Sequence, residues 1–133
     1  MTSQDQRLAE RPTSPHLQVY NMFRLTSFLS ITHRFFGGAL FVGTLLFAYW
    51  VGSAAAGPRA YEIAMNFLGS WFGYFLIFGW SVALFYHLCN GIRHMIWDTG
   101  RMIDMPSVYK SGYVMVSCFA ALTLVAWVCG LAG

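Results

Sequence analysis

The sequence predicts an all-α integral membrane protein with three transmembrane helices. The first observation is composition: of 133 residues, 57% are hydrophobic and only 10% charged, where soluble domains carry about a quarter charged residues. The second is the spacing of the charges. Acids and bases are absent for 24 positions between Arg34 and Arg59, for 30 between Glu62 and Arg93, and for the 23 from Ser111 onward. Each stretch meets the roughly 20 residues that cross about 30 Å of hydrocarbon. Lipid offers backbone groups no partner outside the segment, and these runs are too long and continuously apolar for barrel strands, so helices are expected. The third is an imidazole, His87, set inside the second run.

Residues 1–25 read as a cytoplasmic N-terminal segment and 26–133 as the three-helix membrane domain. Residues 1–11 mix Asp5 and Glu10 with Arg7 and Arg11 and hold no apolar core, the pattern of neither a secretory signal nor a transit peptide. Arg11-Pro12-Thr13-Ser14-Pro15-His16 reads as an extended strip, since each proline biases its predecessor away from helix, and a helix could resume near Gln18. The spans fall at about 28–56, 63–93 and 108–131, with Gly57-Pro58 marking the first turn and Gly100 and Pro106 bracketing the second.

Bases cluster before the first span (Arg7, Arg11, Arg24, Arg34) and between the second and third (Arg93, Arg101, Lys110), while the first connection carries only Arg59. The positive-inside rule then puts the N-terminus and second connection in the cytoplasm and the C-terminus across the membrane. Arg34 and His87 consequently share the cytoplasmic leaflet. The net charge of +3 is topology charge and no nucleic-acid footprint. Cys89, Cys118 and Cys129 lie in or beside spans without CxxC or CxxCH spacing, so they read as small buried apolar residues and indicate neither zinc nor covalent haem attachment.

The chemistry concentrates in two places. A histidine inside a span is costly without a partner, a watery cavity or a metal, so His87 is a candidate ligand, a proton relay, or a residue hydrogen-bonded to a neighbouring helix. His94 follows nearly two turns later, roughly 10 Å along the axis and on the same face. Asn90 and Gly91 allow close helix approach, and Arg93 and His94 are placed for haem propionates or lipid phosphates, or as snorkelling interfacial groups. The second place is Ser27, Ser30, Ile31, Thr32, His33 and Arg34. Ser30 and Arg34 stand one turn apart, so hydroxyl and guanidinium can converge on one oxygen-rich ligand, or serve as polar anchors of an ordinary first turn. Gly37 and Gly38 permit a close helix contact or a planar ligand.

Ser30-Ile31-Thr32-His33-Arg34, the Arg11-Pro12 and Ser14-Pro15-His16 opening, and His87 with Asn90-Gly91-Ile92-Arg93-His94 and Trp97-Asp98 together resemble the cytochrome b556 subunit of succinate dehydrogenase, the membrane anchor of respiratory complex II. The resemblance runs from about Arg11 to Ser111-Gly112, and its opening is more like mitochondrial and alphaproteobacterial members than enterobacterial ones. It implies that His87 is an axial ligand of haem b, the second coming from another small anchor subunit. It also implies that Ser30 and Arg34 line a ubiquinone site, and that His33 and His94, with Arg34 and Arg93 as helpers, surround the haem propionates. Trp97 and Asp98 match the span end where the iron–sulfur subunit docks. One departure is Phe36, which stands before Gly37 where the family usually has a small hydroxyl residue.

The physical chemistry is compatible with these roles. A non-covalently held b haem of this kind takes two axial imidazoles, and His87 and His94 on one helix are too far apart to flank one iron, which leaves a partner chain or His33 as the source of the second. Two-electron quinone reduction needs donors to the carbonyl oxygens and a cation near the accumulating charge, roles for Ser30 and Arg34. The expected protein is a haem-bearing anchor of succinate:ubiquinone oxidoreductase in the bacterial inner membrane rather than the mitochondrial one, partnered by the second anchor, the iron–sulfur subunit and the flavoprotein. It would not oxidise succinate alone. The alternatives are the anchor of a quinol:fumarate reductase and a haem-free structural membrane protein.

Overall fold

A computed structural model describes residues 21–132. The expectations for the N-terminal strip, including the helix resuming near Gln18, lie outside the described residues. Four helices follow in order: α1 (Leu25–Ala56), α2 (Pro58–Leu68), α3 (Trp71–Asp98) and α4 (Met105–Ala132). Among the described residues there is no strand. Helices α1, α3 and α4, of 32, 28 and 28 residues, are long and apolar enough to cross a membrane. At about 1.5 Å per residue each exceeds the hydrocarbon thickness by a turn or more at either end.

The apolar run expected to form a second span over 63–93 is divided. Gly57, at φ +113°, makes a turn that strains any residue with a Cβ. Pro58 then opens α2 at its first position, where a missing N–H costs nothing. Helix α2 ends at Gly69, and Ser70 starts α3 afresh in an extended conformation, its hydroxyl accepting from Gly73 N at 3.1 Å. The break rests on one capping serine within a hydrophobic stretch, so hydropathy alone passes over it.

Helix α3 is the central element, packing against both α1 and α4. Leu29, Tyr86 and Met115, one from each spanning helix, form the buried centre, with Leu25, Phe36, Cys89, Val116 and Phe119 around them. Polar groups fix the register. Tyr86 Oη and Asn90 Nδ2 both donate to the Leu29 carbonyl, at 2.9 and 3.4 Å, and Asn90 is fully buried. At the far end Trp127 Nε1 donates to Ser81 Oγ at 2.8 Å, tying α4 to α3. Large apolar side chains such as Phe35, Phe41, Leu45, Val125 and Leu131 point outward, as expected where lipid or a partner helix is the solvent. Cys89 is half buried, but Cys118 and Cys129 belong to this outward surface rather than to the interior.

Candidate functional site

The start of α1 and the end of α3 lie side by side, and their histidines form a column. Residues seven apart on a helix differ by about 20° in azimuth, so His87 and His94 leave α3 in the same direction with a gap between them. His33 of α1 fills that gap. Its ring stacks on His87 with centroids 3.9 Å apart and planes 5° from parallel, and on His94 at 5.1 Å and 15°. The pairing of His87 with His94 was readable from spacing, but the insertion of His33 depends on how two helices pack.

Hydrogen bonds orient the rings. His87 Nδ1 lies 3.3 Å from the His33 carbonyl and His94 Nδ1 2.7 Å from the Asn90 carbonyl. A carbonyl only accepts, so in each case Nδ1 is the donor, and in the neutral tautomer this leaves the lone pair on Nε2. A backbone acceptor on one nitrogen is also the arrangement that orients a metal-ligating histidine. Space around His87 is set by Gly37: a Cβ there would stand 3.2 Å from His87 Cε1 and 3.6 Å from Nδ1. His33 Nδ1 is buried without a hydrogen-bond partner among the described residues, an unsatisfied donor or acceptor beside the other two rings. These features fit an axial ligand with polar neighbours for a bound prosthetic group. Among the described residues no three His, Cys, Asp or Glu side chains converge on a metal position.

Ser30 and Arg34 share a face of α1; Ser30 is half buried and Arg34 exposed. Arg34 follows His33 directly and so emerges about 100° around the helix from the histidine column. Phe36, the departure from the family pattern, packs edge-on against Tyr86, with centroids 4.9 Å apart at 71°, and so adds to the core.

Arg93, expected as a helper at the haem propionates, at lipid phosphates or as a snorkelling cation, is engaged by groups of α3 and α4. Six residues beyond His87, it leaves α3 about 120° away from the histidine face and turns to α4. Its Nε donates to Ser111 Oγ at 2.9 Å, one terminal nitrogen to the Val108 carbonyl at 2.8 Å and the other to Asn90 Oδ1 at 3.3 Å. The guanidinium carbon sits 4.1 Å over the Trp97 ring. Sequence reasoning missed this clamp, although the helical azimuth of position 93 held the signal.

Three apolar helices with stacked imidazoles at one end define a polytopic helical membrane protein with a histidine-lined site. The chain matches the family described as succinate dehydrogenase/fumarate reductase transmembrane subunit over residues 7–126, and it belongs to that family. It is 36% identical over 124 residues to the succinate dehydrogenase cytochrome b556 subunit of Paracoccus denitrificans, covering 91% of this chain and 95% of that one. It is 37% identical over 119 residues to the cytochrome b556 subunit of Rickettsia felis, covering 90% and 92%. The succinate dehydrogenase cytochrome b560 subunit of Reclinomonas americana is 35% identical over 127 residues, covering 89% and 85%.

Proposed function

We propose that this chain is the haem b-binding membrane anchor of a succinate:ubiquinone oxidoreductase and supplies part of its ubiquinone site. The carrying observation is His87: its Nδ1 is engaged by the His33 carbonyl, so Nε2 would be the atom to hold the haem iron, and the missing Cβ of Gly37 spares the ring a contact of 3.2 Å at Cε1. His33 and His94 flank it as polar partners for the haem edge. A second imidazole for the iron would come from the other small anchor subunit. Haem b, when bound, supplies a one-electron store within the membrane. The cytochrome names of the relatives favour this reading over a haem-free structural protein, and the succinate dehydrogenase names favour succinate oxidation over fumarate reduction.

For the quinone, Ser30 Oγ donates a hydrogen bond to a carbonyl oxygen and Arg34 offsets the negative charge that accumulates before protonation. Arg34 suits this because its guanidinium stays charged throughout. The remaining donors belong to partner subunits. The iron–sulfur subunit, which docks near Trp97 and Asp98, hands on electrons that the flavoprotein takes from succinate. The bases at the start of α1 and around the Thr99–Asp104 connection support a cytoplasmic position for this end of the helices, and with it a site in the cytoplasmic leaflet of a bacterial inner membrane.

A reduced-minus-oxidised spectrum of the purified complex tests the assignment. His87→Ala is expected to abolish or displace the b-type α-band. An α-band of unaltered position and size in His87→Ala would defeat it.

A further inference from the structure

On the α4 side of α3, away from the histidines, a cleft of about 400 Å³ opens between the two helices. Its wall is apolar, with Ile92 and Ile96 from α3 facing Val114 and Met115 from α4. Set into that wall are polar groups left incomplete by the protein. Arg93 is 4% exposed, yet its three hydrogen-bond partners, Ser111, Asn90 and the Val108 carbonyl, are all neutral. They satisfy three of the five N–H groups of a guanidinium but none of its charge. The Trp97 ring beneath it gives only partial electrostatic compensation. Trp97 Nε1 is itself buried with no acceptor among the described residues, a state that buried indoles usually avoid. Lys110, exposed in the second turn of α4, adds a further cation to the same lining.

The complement of such a cleft has anionic oxygens at one end and hydrocarbon at the other. The oxygens would accept from the indole N–H and offset Arg93 and Lys110, and the hydrocarbon would cover Ile92, Ile96, Val114 and Met115. A buried cation is stable only with a partner. The polar groups also lie at the ends of spanning helices, the depth at which tryptophan and basic residues meet headgroups. We propose that this cleft is a binding site for an anionic phospholipid, with its phosphate at Trp97 and Lys110 and an acyl chain laid between α3 and α4. The proposal requires the membrane fold but not the haem or quinone assignment, and it requires that the iron–sulfur subunit meet this end of α3 on the side of exposed Asp98, leaving the Trp97 indole to the cleft.

The test uses the whole complex, purified in mild detergent, stripped of lipid and titrated with phosphatidylglycerol or phosphatidylcholine, with bound lipid counted by native mass spectrometry. Phosphatidylglycerol is expected to be retained at least threefold better than phosphatidylcholine. Trp97→Phe combined with Lys110→Gln should lower that retention threefold or more. Val114→Trp, which fills the cleft without touching a polar group, should lower it independently and so guards against failed assembly of the double variant. Equal retention of the two lipids, unchanged phosphatidylglycerol binding in the variants, or no bound lipid because a partner subunit covers the cleft would each overturn the proposal.

Discussion

Replacing Gly37 by alanine probes how tightly His87 is positioned, and the neighbouring Gly38 supplies its control. A Cβ at position 37 would lie 3.2 Å from His87 Cε1, where ordinary contact begins near 3.4 Å, while a Cβ at position 38 would meet nothing within 4 Å. Both substitutions gain about 1 kcal/mol of helix propensity. Only the first must also push the imidazole or part the helices, an overpacking cost of about 1–3 kcal/mol. The direction of the push matters more than its size. Cε1 and Nδ1 are the atoms displaced, so the 3.3 Å contact of Nδ1 with the His33 carbonyl lengthens and the ring tilts away from the orientation that this contact sets. Gly37→Ala is therefore expected to lower haem b per assembled complex several-fold, or to shift its α-band and midpoint potential, while Gly38→Ala leaves all three at wild-type values. The assay is haem content, difference spectrum and redox titration of the purified complexes. Indistinguishable results for the two variants would refute the claim that the missing Cβ at position 37 sets the ligand's place.

Two further outcomes are expected. Arg34→Ala should depress ubiquinone reduction at least tenfold while succinate oxidation with a soluble artificial acceptor stays near wild type; an equal fall in both would remove Arg34 from the quinone site. Asp104 caps α4, its carboxylate accepting from Ser107 N at 3.0 Å, and the backbone and side-chain hydrogen bonds of Ser107 hold its pKa below the usual value. A depressed carboxyl pKa adds stability above the unfolded value and loses it as pH falls through the folded one. Thermal stability of the wild-type complex should therefore drop more steeply below about pH 4 than that of Asp104→Asn, which keeps an acceptor but does not titrate; parallel pH profiles would contradict the cap.

The spanning helices were legible because their evidence is local: long runs without charge force helices wherever lipid is the solvent. The start of α3 was not, since Ile63 to Trp71 is nearly as apolar as the rest and only the Ser70 hydroxyl, turned back onto Gly73 N, marks the break. The site divides similarly. His87 stood out as an imidazole in hydrocarbon, and the seven-residue spacing to His94 gave their common face. The place of His33 between them is a tertiary fact, created when α1 settles on α3. Arg93 lies between these cases: proximity in sequence grouped it with His94, whereas counting azimuth around α3 separates the two by about 100°.

The shared acceptor at Leu29 bears on how the complex is assembled. One carbonyl holds two donors, Tyr86 Oη and Asn90 Nδ2, so sliding α1 by a single residue, about 1.5 Å along and 100° around, would break both at once. Helices in lipid otherwise glide easily, because the surrounding chains are as oily as the contact. This tie acts as a ratchet stop. The α1–α3 pair is thereby a set half-mould, with the offset between Arg34 and His87 held by contacts within this chain.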